Sequence, residues 1–159
     1  MTIFGHVYVI DNNALSRIGR DCRACEFFKR NSRIPSEVLH EASGFPDIAD
    51  LELLEYPTTA GVLEQLIVVM ASIPVGETKL VDLYANQGNA DPLVIAVALD
   101  GQSRDAGTLF SPSWTVVSGD KAVQAKAREF GLEVTTNEEF IAVLEGRGPP
   151  PAGEFEGSG

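Results

Sequence analysis

Apolar residues along this chain fall in short blocks split by polar breaks, and the spacing inside the blocks switches between strand-like and helix-like. Residues 6–10, HVYVI, are rich in β-branched side chains, the pattern of a short buried strand. Asp11 ends it, and Asn12 or Asn13 is placed to cap a helix beginning near Ala14. Ile34-Pro35 predicts an extended dipeptide, because the residue before proline avoids the helical region. Ser36 then caps a helix through Val38, Leu39 and Ala42, residues 43–50 read as a loop, and Leu51 to Tyr56 reads as a short edge strand closed by Pro57. A helix capped by Thr58 or Thr59 runs to about Ser72, with Val62, Leu63, Leu66, Ile67, Val69 and Met70 covering most of its circumference. Such a helix is buried or meets a partner. Pro74-Val-Gly76 breaks it, and a further helix is expected over 77–85. These two helices are the expected protein-contact surface.

In the second half, Leu93 to Leu99 suits either a strand or a helix, and the Asp91-Pro92 start favours a buried helix. Residues 101–113, rich in Gly and Ser, read as a loop. Trp114 to Val117 is a strand, Lys121 to Phe130 an amphipathic helix stopped by Gly131, Leu132 to Val134 a last strand and Glu138 to Leu144 a last helix. Strands alternating with helices in this order predict an α/β fold, an α/β/α sandwich around a mainly parallel central sheet. Residues 1–145 form its single domain, and the Gly- and Pro-rich stretch 146–159 is expected to be a disordered tail.

Right-handed crossovers bring the carboxyl ends of parallel strands to one edge. Asp11 and Asp120 both follow strands and should face that edge, while Glu41 and Asp91 also lie beside apolar segments. Scattered carboxylates that converge in a fold repel one another unless a hard divalent cation is held between them. Mg²⁺ or Mn²⁺ on such a set polarises phosphate and activates water, the chemistry of phosphodiester hydrolysis. Two histidines supply no Ser-His-Asp set, and the absence of a GxxxxGK[ST] loop excludes a P-loop nucleotidase.

Composition narrows the picture. The chain has 159 residues, 44% apolar, and a net charge of −11. So acidic a surface repels nucleic acid at long range, and contact with it requires a metal or a local basic patch. Half of the Lys and Arg residues lie in one stretch, Arg17, Arg20, Arg23, Lys29, Arg30 and Arg33, and the first five are candidate RNA contacts. Phe27 and Phe28 in the same stretch could stack on bases, though core packing is the stronger expectation. Cys22 and Cys25 form a lone CxxC without the second ligand pair of a structural zinc site, and are expected to be reduced, partly buried thiols. No apolar run approaches the roughly 20 residues that span a bilayer, and the start of the chain lacks a secretory pattern, so a cytoplasmic protein is the expectation.

The chain resembles the PIN-domain nucleases, including the VapC-type toxins, over about residues 7–144. VYVIDNNAL resembles that family's first strand and acid, RIPSEVLHEA its second acid segment, NADPLVIAVAL its third-acid helix and TVVSGDKAVQAKAREFGLEVTT its fourth. The resemblance implies Asp11, Glu41, Asp91 and Asp120 as catalytic acids, with Asp11, Asp91 and Asp120 on the metal and Glu37 as the alternative second acid. Asn13 and Ser118 become supporting polar groups. It further implies a metal-dependent endoribonuclease using Mg²⁺ or Mn²⁺, homodimerisation, and a small antitoxin partner. Asn12 stands where many members carry Thr or Ser. The alternatives are a PIN-like nuclease that is not a toxin, acting on RNA or DNA, and a catalytically silent RNA-processing or binding module. A receiver-type signalling domain would need paired acids after the first strand, where this chain has Asn12 and Asn13.

Overall fold

The computed structural model describes residues 5–73, 90–109 and 111–147, apart from the side chains of residues 90 and 91. The helix expected over 77–85 lies outside the described residues, as does the tail from 148 onward.

Five strands build one sheet: β1 (His6–Ile10), β2 (Ser32–Pro35), β3 (Glu55–Tyr56), β4 (Ser113–Val117) and β5 (Glu133–Thr135). Their order is β3-β2-β1-β4-β5, and every pairing is parallel. The α/β expectation holds, and "mainly parallel" becomes wholly parallel. β1 is buried along its whole length, as parallel strands covered on both faces must be.

The connections carry α1 (Asn12–Arg17), α2 (Arg20–Arg23), α3 (Glu26–Asn31), α4 (Ser36–Glu41), α5 (Ile48–Glu52), α6 (Ala60–Ala71), α7 (Ala90–Asp105), α8 (Lys121–Glu129) and α9 (Asn137–Leu144). Tyr8 presents one face of β1 to Phe27 of α3 and Phe140 of α9, at ring distances of 6.0 and 4.7 Å. Phe28 is fully buried, so the core expectation for this pair holds at that position. Residues Leu93 to Ala98 of α7 are buried in sequence, which explains why a strand and a helix were hard to separate by period.

Several local expectations are corrected. Asp11 itself caps α1, its Oδ1 accepting the Ala14 N–H at 2.7 Å, so neither Asn12 nor Asn13 is the cap. Pro35 occupies the cap position of α4, and Ser36 instead donates to Glu55 Oε2 at 2.6 Å. The strand expected over Leu51–Tyr56 shrinks to Glu55–Tyr56, because Leu51 and Leu54 are both buried and their three-residue spacing is met by the helical turn at α5. The loop expected from 101 begins later, since α7 continues to Asp105. Gly101, placed in that expected loop, is a packing site within α7: a Cβ there would lie 2.4 Å from the Trp114 ring. Gly146 and Arg147 are not tail but the C-terminal cap of α9, with the Arg147 N–H on the Ala142 carbonyl at 2.7 Å. Along α6 only Val62 and Val69 are fully buried, while Leu63, Ile67 and Val68 are exposed. No helix among the described residues is long and apolar enough to cross a membrane.

Candidate functional site

From β1 the chain winds outward to β2 and β3, then returns to the other side of β1 to form β4 and β5. The reversal sets the carboxyl ends of β1 and β4 side by side at the switch point, the place where open parallel sheets hold ligands. Asp11 follows β1 there, its N–H on the Val117 carbonyl at 3.3 Å, and Ser118, Gly119 and Asp120 follow β4.

Asp11 is 2% exposed. Burial pushes its carboxyl above the ordinary range. The nearby Ser118 hydroxyl and the Ala14 N–H, which donates to it, pull the other way, and the negative charge of Asp120 adds to the rise. Asp120 caps α8, its Oδ1 accepting the N–H groups of Ala122 at 2.8 Å and Val123 at 3.1 Å. Its own N–H donates to Ser118 Oγ at 3.1 Å. Two acids from distant parts of the sequence are thus fixed by helix first turns and joined through one buried serine.

Asn137 is a site feature that the sequence pattern did not signal. It opens α9, is 3% exposed, and its Oδ1 has no hydrogen-bond partner. Its Nδ2 points at Asn13 Oδ1 across a long 3.5 Å contact and packs against Gly119. No motif singles out an asparagine beside the Thr136 cap; only the fold brings it under the β4–α8 loop.

The other expected acids stand differently. Glu41 ends α4 and is exposed, and Glu37, in the first turn of the same helix, is half-buried. Asp91 lies in the first turn of α7, and its side chain is outside the described residues. Among the described residues no three His, Cys, Asp or Glu side chains gather closely enough to hold a metal ion, so neither Glu41 nor Glu37 joins Asp11 and Asp120 in such a group. The expected convergence is seen as a pair. The donors around that pair are oxygen atoms of Asp11, Asp120 and Ser118, which suits Mg²⁺ or Mn²⁺ chemically, and a cation would relieve the charge the two acids impose on each other.

The basic stretch divides. Arg23 is an interior group rather than an RNA contact: it pairs with both Asp47 oxygens at 2.8 and 2.9 Å, donates to the Ile18 carbonyl at 2.6 Å and lies over the Phe45 ring. Arg17, Arg20, Lys29 and Arg30 remain exposed, Arg30 beside Glu26 at 3.5 Å. Cys22 and Cys25 are half-buried free thiols; the carboxylate of Glu145, 3.8 Å from Cys22, joins burial in holding that thiol protonated.

Compared with known protein families the chain matches none, and no curated protein matches it either.

Proposed function

We propose that this protein is a metal-dependent endoribonuclease of PIN-like architecture, hydrolysing RNA phosphodiester bonds at the carboxyl ends of β1 and β4. The observation that carries the reading is the meeting of Asp11 and Asp120 through Ser118 at the point where the strand order reverses. A buried carboxyl with a raised pKa beside a second acid is a costly arrangement, of the kind that functional sites retain.

When bound, Mg²⁺ or Mn²⁺ supplies polarisation of the scissile phosphate and a water of lowered pKa. The chain's own residues do the positioning. Ser118 and the Ala14 N–H favour the charged form of Asp11, and the first turn of α8 fixes the Asp120 carboxylate. Asp91, at the start of α7, is the third acid of this reading, whereas Glu41, or Glu37 in its place, enters on the family resemblance alone. Arg17, Arg20, Lys29 and Arg30 would meet flanking phosphates. A toxin role, a small antitoxin partner and homodimerisation belong to the same proposal and likewise rest on the resemblance.

A catalytically silent RNA-processing or binding module is the second reading, favoured by the fact that only two candidate acids gather among the described residues. One experiment separates the two. The full chain is incubated with end-labelled single-stranded RNA and Mn²⁺, with and without EDTA, beside Asp11→Asn and Asp120→Asn. Chelator-sensitive cleavage lost in both variants supports the nuclease. Retarded but uncut RNA supports the module, and cleavage that survives both substitutions overturns the proposed site.

A further inference from the structure

A cleft lies apart from the acids. It has a volume of about 280 Å³ and is lined by Val7, Arg33, Tyr56, Pro57 and Thr59, with Gly101, Arg104, Asp105 and Trp114 completing the wall. Val7 is four residues before Asp11, roughly 13 Å along an extended strand. The α7 residues of the wall come ten or more positions after Asp91, roughly 15 Å by helical rise. No lining residue belongs to the proposed nuclease site.

The walls are built and their polar groups are assigned. Tyr56 and Trp114 meet edge to face with ring centres 5.7 Å apart. The Tyr56 hydroxyl donates to Asp100 Oδ2 at 2.5 Å, and Arg104 Nε donates to the same oxygen at 3.1 Å. Burial and the Asp100 carboxylate hold the Tyr56 phenol far above its ordinary range, so it remains a neutral donor. The Trp114 indole N–H is committed to Asp105 Oδ2 at 2.8 Å. Both carboxylates near the cleft therefore have partners.

Arg33 does not share that balance. Its side chain is half-buried, and its Nη1 donates to the neighbouring Ser32 carbonyl at 3.0 Å. No carboxylate lies within ion-pair distance of it among the described residues. What distinguishes Arg33 is its place: a guanidinium that lines a cleft and has no acidic partner among the described residues. Arginine presents a planar fork of donors matched to a carboxylate. Asp100 and Asp105 leave this cleft poorly suited to a dianion. Its volume lies just below the usual range of ligand sites, about 300–1,000 Å³, which suits a small occupant.

We propose that this cleft binds a small organic monoanion, a carboxylate on a flat apolar body, with Arg33 pairing the charge and Tyr56 and Trp114 walling the body. The site is independent of the nuclease reading.

Trp114 is the one tryptophan of the chain, so its emission reports on the cleft directly. The probes are benzoate and its uncharged counterpart benzamide, titrated into the full chain. A saturable change in Trp114 emission is expected with benzoate, with binding of benzamide weaker by about tenfold or more, the scale of a charge-assisted hydrogen bond. Arg33→Gln should lose the same factor for benzoate and bring the two probes level, while Arg33→Lys keeps part of the preference. The comparison of the two probes on the unaltered protein does not depend on how any variant folds. An absent benzoate response, equal affinity for benzamide, or unchanged benzoate binding in a folded Arg33→Gln would overturn the proposal.

Discussion

Ser118 places its hydroxyl near the buried carboxyl of Asp11 and favours the ionised form of that acid. The same oxygen accepts the Asp120 N–H at 3.1 Å, so one fully buried side chain couples the charge state of one acid to the backbone position of the other. Ser118→Ala removes a hydroxyl that favours ionised Asp11 and leaves the Asp120 N–H without its acceptor. A loss of about 1–2 kcal/mol in denaturant unfolding is expected. Asp11 should titrate still higher, so the acidic limb of the cleavage-rate profile should move toward neutral pH. A limb that stays in place would show that another group controls the reaction.

Asp11→Asn tests the cost of that buried charge. A carboxyl whose pKa is raised in the folded state binds its proton more tightly there than in the unfolded chain. Its contribution to stability is complete below the unfolded value of 3.8 and is lost as pH rises through the folded value. At neutral pH ionised Asp11 therefore weakens the fold. Asparagine keeps an oxygen for the Ala14 N–H and removes the charge. A gain on the order of 1 kcal/mol at neutral pH is expected, shrinking toward zero in acid, together with loss of metal-dependent cleavage. Urea midpoints across a pH series decide it; a variant less stable than the parent at pH 7 would contradict the sign.

How much of this was legible beforehand depended on whether a residue's role was local. Asp11 and Asp120 end apolar strands, so their edge position followed from parallel topology. The Lys121–Glu129 helix carried its own stop signal in Gly131, whose φ of 81° suits glycine. Gly101 and Arg23 were misread because their roles are tertiary: one accommodates an indole ring, the other closes on an aspartate 24 positions away. Asn137 was invisible for the same reason. Asp100 drew no reading from the sequence, and only the fold joins it to Tyr56 across 44 positions.

The Arg23–Asp47 pair makes a prediction about stability rather than activity. Both side chains are nearly buried, 8% and 11% exposed, and their contact is bidentate. Arg23→Ala leaves Asp47 without its guanidinium and should cost about 3–5 kcal/mol, whereas replacing both partners with apolar residues, Arg23→Met with Asp47→Leu, should restore most of it. Arg23, first through its hydrogen bond, holds the Asp47 carboxyl below its ordinary range. The pair's stabilisation is therefore present above the unfolded value of 3.8 and fades as pH falls through the folded one. The penalty of Arg23→Ala should accordingly diminish in acid, as read from urea midpoints on either side of that pH.

Gly119→Ala tests whether Asn137 holds the β4–α8 loop in register. A Cβ at position 119 would lie 2.7 Å from Asn137 Nδ2, and Asn137, 3% exposed, has no solvent to swing into. Either Asn137 leaves its contact with Asn13 or the loop carrying Ser118 and Asp120 shifts. Overpacking of this kind costs about 1–3 kcal/mol, and cleavage should fall with it. Asn137→Ala opens the space and also removes the orphaned Oδ1. The added methyl should therefore cost much less in the Asn137→Ala background than in the parent, and a four-protein unfolding cycle measures that difference. Equal costs in the two backgrounds would mean that the glycine is required for some reason other than Asn137.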